Sequence, residues 1–191
     1  MKPFVALLVL ALSAAAQSPA PGAQQPAPPQ VQVQVTNTQF PANPADVKSA
    51  ESIIHAVYDV ISGPAGQNRD WNRFQSLFIP GARLIPTFKR PPDAPVFTTR
   101  VLSPEEFATN SQRAVQSQGF FEKEIARRTE QWGNIAQVFS TYESRHAAGD
   151  QPFARGINSF QLLNDGQRWW IVTIFWQGES KDVPLTPEFL K

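Results

Sequence analysis

The sequence predicts an α+β fold, with three helices segregated against one curved antiparallel sheet. Three observations predict it. In the first half, apolar residues recur at three- and four-residue steps, the stripe of an amphipathic helix. Midway, "SPEEF" offers Ser103 as cap, Pro104 at the first helical position and two glutamates in the first turn, the signals of a helix start. After it, four strand-like stretches follow one another with turn signals between them, the pattern of a meander.

Taken in order, residues 1–16 read as a leader. Lys2 precedes an apolar run from Phe4 to about Leu12, then small residues at Ala14 to Ala16, the three-part pattern of a signal peptide cut after Ala16. The run is shorter than the ~20 residues of a membrane span. The chain is therefore expected to be exported, periplasmic or secreted, with no span once the leader is removed. Residues 17–45 are rich in proline, glutamine and alanine and read as a disordered linker. Within it, Val31–Val35 alternates at the strand period and is a candidate edge strand.

The domain is expected over 46–180, with a tail at 181–191. Val47, Ala50, Ile54, Val57 and Ile61 mark the first helix, with Asp46 as cap and Gly63-Pro64 as stop. Asp70 caps the second helix, whose apolar residues are Trp71, Phe74, Leu77 and Phe78. "IPGARLIPTF" turns at Pro80-Gly81 and runs as a strand, and Val96–Leu102 is a β-branched strand candidate. The third helix runs from Ser103 to Gly119. Strands then follow over Phe120–Thr129, Asn134–His146, Phe153–Leu163 and Arg168–Gln177, the last two joined by Asn164-Asp165-Gly166.

Composition narrows the function classes. Seventeen basic residues face sixteen acidic ones, and Lys2 lies in the leader, so the mature chain is balanced. Such a balance offers nucleic acid or an anionic membrane no electrostatic attraction. The absence of cysteine excludes a thiol nucleophile and cysteine-ligated metal. The two histidines, His55 and His146, show no metal-ligand spacing, and no nucleophile elbow anchors a serine triad. No cofactor and no metal site are expected.

"DWNRFQSLFIPGARLIP", "GNIAQVFSTYESR" and "GINSFQLLNDGQRWWIV", in this order, resemble the nuclear transport factor 2-like superfamily, in particular its SnoaL-like branch. The resemblance covers about Pro44 to Glu179. It implies a cone: a concave sheet whose mouth the helices close over a pocket. Relatives include isomerases, cyclases, dehydratases and non-catalytic binding or assembly domains, so the fold does not specify the activity.

Ketosteroid isomerase-like members need a carboxylate base and two donors for the enolate oxygen. The resemblance puts Tyr58 at one donor position and Asn158 at the other, where an aspartic acid is usual. The base position holds Pro86 and Thr87, so isomerase chemistry lacks its base. A substitute carboxylate is Glu143: alternation places Phe139, Thr141, Glu143 and Arg145 on one face, and if that face is concave Glu143 is a buried base. The alternative is a surface pair between Glu143 and Arg145. The mixed-sign run "EKEIARRTE" reads as a solvated face.

The last strand is divided by the same alternation. Trp169, Ile171, Thr173 and Phe175 share one face, and Trp170, Val172, Ile174 and Trp176 the other. The resemblance implies that the first set faces inward, with Thr173 and Phe175 toward the cone beside Asn158 and Phe160. The second set would form an apolar outer patch, which usually marks an interface, here a homodimer. The alternative is that Val31–Val35 or the C-terminal tail folds back over it. The expected function is binding of a small, largely apolar ligand by Tyr58, Asn158, Phe160, Thr173 and Phe175. The alternatives are a lyase, hydrolase or isomerase using Glu143, and a structural domain whose cone is filled by side chains.

Overall fold

Ser49 divides what the periodicity predicts as one first helix. The computed structural model describes residues 39–191, all within one folded unit. The leader, residues 17–38 of the linker and Val31–Val35 lie outside the described residues. A short helix α1, Pro44–Val47, is capped by Asn43. Helix α2, Ala50–Ile61, starts afresh because Ser49 adopts extended backbone and exchanges bonds with Ser52 in a capping box. Asp46 is thus not the cap. It is buried, and Arg73 of helix α3, Trp71–Ser76, donates to both its oxygens at 2.8 and 3.0 Å. Asp70 caps α3 as expected, accepting from Arg73 N at 2.9 Å.

Strand β1, Phe78–Phe88, absorbs Pro80-Gly81 as an irregularity, with Gly81 at a φ of 81°, a conformation glycine adopts without strain. Only Thr98–Thr99 of the next candidate forms a strand, β2, while Leu102 bridges Leu84 in isolation. Helix α4, Pro104–Ser117, starts with the Ser103–Glu106 capping box. The meander is β3 (Phe121–Trp132), β4 (Ile135–Arg145), β5 (Ala154–Asn164) and β6 (Trp169–Gly178).

One curved six-stranded sheet results, in the order β2-β1-β6-β5-β4-β3. Every pairing is antiparallel except β1 with β6, which run parallel. The core fills the concave side, where Ile53 and Ile54 of α2, Phe74 of α3 and Phe160 of β5 are at most 1% exposed.

Two bulges interrupt the alternation. In β6, Ile171 pairs with Leu162 and Thr173 with Gln161, which leaves Val172 as an extra residue. In β3, Glu124 pairs with Tyr142 and Ala126 with Thr141, which leaves Ile125 extra. One inserted residue switches every later side chain to the other face. The C-terminal tail ends in a 3₁₀ turn, Pro187–Phe189, on the outer side of β4. There Thr141 donates to the Phe189 carbonyl and the Phe189 ring meets Phe139 edge-on.

Candidate functional site

A cavity of about 140 Å³ lies on the concave side of the sheet. Its walls are largely apolar, with Val57, Phe74, Phe160, Ile174 and Trp176 among them. Glu122, Tyr142 and Asn158 supply polar atoms. Gly156 makes room for Tyr142, because a Cβ there would stand 2.6 Å from the tyrosine hydroxyl.

The polar side chains form one network. Asn158 Nδ2 donates to Tyr58 OH at 3.1 Å and, at 3.4 Å, to Glu122 Oε1. Ser144 donates to Glu122 Oε2 at 2.8 Å. Tyr58 shares a 2.6 Å bond with Ser140, whose hydroxyl donates to Glu124 Oε1, also at 2.6 Å. Arg127 holds Glu124 in an ion pair. Ser62, the residue capping the end of α2, fixes the Glu122 backbone by accepting from its N–H and donating to its carbonyl. Arg69 steadies that same helix end by donating to the carbonyls of Ile61 and Gly63.

Burial is felt by the titratable groups. Desolvation pushes Glu122 up to about 7, against the bonds from Ser144 and Asn158, which lower it. Tyr58 and Tyr142 are both held well above the ordinary phenol range, by desolvation first and by the nearby Glu122 charge second.

Two further spaces adjoin the cavity. An apolar chamber of about 360 Å³ lies beside α4 and shares Ile61, Phe107 and Phe120 with it. A polar groove of about 690 Å³ runs along the other side of the network, and Glu122 borders both groove and cavity.

The path of the chain matches the expected one: α2 and α3 ahead of β1, α4 ahead of a four-stranded meander, and a concave sheet over a pocket. No protein-family model matches the chain, and no curated protein does. Solved structures do. An NTF-2 like protein of unknown function from Silicibacter pomeroyi DSS-3 is 14% identical, with a TM-score of 0.48 over 69% of this chain and 94% of that one. An NTF2-like protein of unknown function from Shewanella baltica OS155 is 13% identical, with 0.40 over 70% and 98%. The yeast UBP3-associated protein BRE5 is 15% identical, with 0.49 over 69% and 94%. The likeness is to NTF2-like structures. Nothing in these likenesses singles out the SnoaL-like branch or carries an activity.

Within this domain, Tyr58, Asn158 and Phe160 stand together, with the Tyr58 and Phe160 rings edge-on at 6.5 Å. The β6 residues are placed otherwise than alternation predicts. The extra Val172 turns Ile174 and Trp176 into the cone, where both line the cavity. Thr173 and Phe175 consequently point outward, and Phe175 is 47% exposed. Of the four residues expected on the outer face, Trp170 and Val172 remain on it. Trp170 is covered by its own turn: its indole donates to Asp165 at 2.6 Å and the Arg168 guanidinium lies 3.6 Å from its ring.

Glu143 is not in the pocket. Opposite parity to Tyr142 and Ser144 puts it on the outer face, ion-paired with Lys123 at 3.1 Å and Arg145 at 2.7 Å. Desolvation pushes its carboxyl up, but these two partners outweigh it and hold it below the ordinary range. Pro86 lies opposite Trp176 and brings no acid to the base position.

The carboxylate that does reach the cavity is Glu122, in the run expected to be a solvated face. Pairing with Ser144 places it inward, and Glu124 and Arg127 follow on the same side of the bulge-adjusted strand. Sequence offered no signal for it: a hairpin through Gly133-Asn134 alone would set Glu122 opposite Arg145, and the extra Ile125 moves it opposite Ser144. His146 stacks on Phe153 with centroids 4.1 Å apart. Among the described residues, no group of three or more His, Asp or Glu side chains is arranged to hold a metal. Among them also, no helix is long and apolar enough to cross a membrane.

Proposed function

We propose that this domain binds a small, largely apolar ligand in its cone. The observation that carries the reading is the 140 Å³ cavity itself, apolar on most sides and edged by the bonded pair Asn158 and Glu122 and by Tyr142. Such a space accommodates about one six-membered ring, and the adjoining chamber offers room for a longer molecule. Trp176 in the wall is a built-in reporter. Titration with single-ring hydrocarbons should quench or shift tryptophan emission in the wild type and much less in Trp176→Phe, and should raise the melting temperature of both. No change in either signal across the series would reject the reading.

A second reading is an enzyme, a lyase, hydrolase or isomerase acting on such a ligand. It is favoured by one observation: Glu122 borders the cavity with a pKa of about 7, suited to proton transfer near neutral pH. Turnover that survives Glu122→Gln unchanged would exclude it.

Export and a homodimer complete the proposal. Export rests on residues 1–16, and N-terminal sequencing of the protein from its own cells tests it by looking for a start at Gln17. The homodimer rests on an outer face that now presents Phe175 in place of Ile174 and Trp176. Native mass spectrometry of the mature chain tests it, and a monomer across the micromolar range rejects it.

A further inference from the structure

We infer that the cavity selects apolar ligands whose polar end is a hydrogen-bond donor, above all an amine, with Glu122 as counter-ion. This rests on the ligand-binding reading and reverses the polarity expected of Tyr58 and Asn158. The reversal follows from counting protons. Glu124, ion-paired with Arg127, offers lone pairs, so the single Ser140 proton goes to it. Ser140 must then accept from Tyr58, and the Tyr58 proton points away from the cavity. Asn158 spends one amide hydrogen on Tyr58 and the other on Glu122. What remains on Asn158 is its Oδ1, an acceptor.

Charge points the same way. Among the described residues no basic side chain is ion-paired with Glu122: Arg127 is taken by Glu124, and Lys123 and Arg145 by Glu143 on the outer face. Glu122 is half-buried between cavity and groove, and a desolvated carboxylate without a counter-ion is costly unless it is neutralised or paired. The Tyr142 hydroxyl, the other polar atom at the cavity, can accept as readily as donate. An ammonium group entering beside a single ring would meet Glu122, Asn158 Oδ1 and Tyr142 together.

The test uses four probes of one shape: cyclohexylamine, cyclohexanone, cyclohexanecarboxylate and methylcyclohexane, titrated into the mature protein by calorimetry at several pH values. The amine is expected to bind more tightly than the ketone at pH 8 by roughly tenfold, the scale of one charge-assisted hydrogen bond. Its affinity should fall as pH drops through 7, where Glu122 takes up a proton. Glu122→Gln should remove both the advantage and the pH dependence while methylcyclohexane still binds.

The groups facing Glu122 are Tyr58 of α2, Glu124 of β3 and Tyr142 of β4. The groove is also lined by Glu51, His55 and Asp59 of α2 and by Lys123, Arg127 and Arg145. His55→Gln is therefore the control, and it should leave the profile in place. A ketone that binds more tightly and gains affinity as pH falls overturns the inference, since Glu122 would then act as a protonated donor, and it leaves the ligand-binding reading standing. Equal binding of all four also overturns the inference alone. No binding by any probe overturns both.

Discussion

Asn158 on β5 donates an amide hydrogen to the Tyr58 hydroxyl on α2 at 3.1 Å, joining residues a hundred positions apart in the chain. That bond closes a chain of donors and acceptors running from the cavity to the Glu124–Arg127 ion pair. It ties the helix that covers the cone to the strand at its centre.

Tyr58→Phe removes the acceptor for Asn158 and the donor to Ser140 at once. Unfolding in urea should show a loss of about 1–3 kcal/mol, the cost of leaving buried polar partners unmade. Because the Tyr58 proton points to Ser140, affinity for an apolar amine should change little. A variant of undiminished stability with strongly reduced ligand affinity would show that the hydroxyl serves the ligand instead.

Glu122 links stability to pH. Its folded pKa of about 7 lies above the ordinary 4.5, so between those values the folded chain holds a proton that the unfolded chain has lost. Stability from this group is therefore highest at low pH, and declines as pH rises from 4.5 to 7. The full difference is of the order of 3 kcal/mol. Glu122→Gln should be more stable than wild type at pH 8 and converge with it near pH 4.5, as measured by denaturant titration at each pH. A constant difference at every pH would contradict the burial of this carboxylate.

The bulge at Val172 makes opposite demands on adjacent residues. Ile174 is 5% exposed and Phe175 47%. Ile174→Ala should cost about 2–4 kcal/mol, as truncations in a core do, and Phe175→Ala under about 1 kcal/mol. The reverse ranking would restore simple alternation and remove Trp176 from the cavity wall.

Arg73 holds Asp46 and Asp59 together, bonding the latter at 2.6 Å. The bonds to Asp46 raise its pKa further still, against desolvation. Arg73→Ala leaves the buried Asp46 carboxylate without its partner, and a loss of about 3 kcal/mol is expected on thermal or urea unfolding. Pairing it with Asp46→Ala should recover part of that loss; no recovery would mean that Arg73 acts through packing alone.

What was legible in the chain follows the range of the forces involved. Ser103-Pro104, Asp70 and the Asn164-Asp165-Gly166 turn act through backbone groups a few residues away, so sequence by itself determined where those two helices and that hairpin begin, and with them the α+β class, while it missed the fresh start of α2 at Ser49. The family resemblance named Tyr58 and Asn158 as donors to a ligand; that they bond each other comes from the tertiary structure. Alternation, in contrast, is a running count, and one unpaired residue resets it. Nothing local to Val172 or Ile125 announces the extra position, which exists only because the neighbouring strands pair in register around it. Tertiary structure therefore decided that Ile174 and Trp176 line the cavity, that Thr173 and Phe175 face outward, and that Glu122 reaches the pocket while Glu143 stays outside. Caps and turns are settled by contacts within a few residues; the face a side chain presents is settled by the strand across from it.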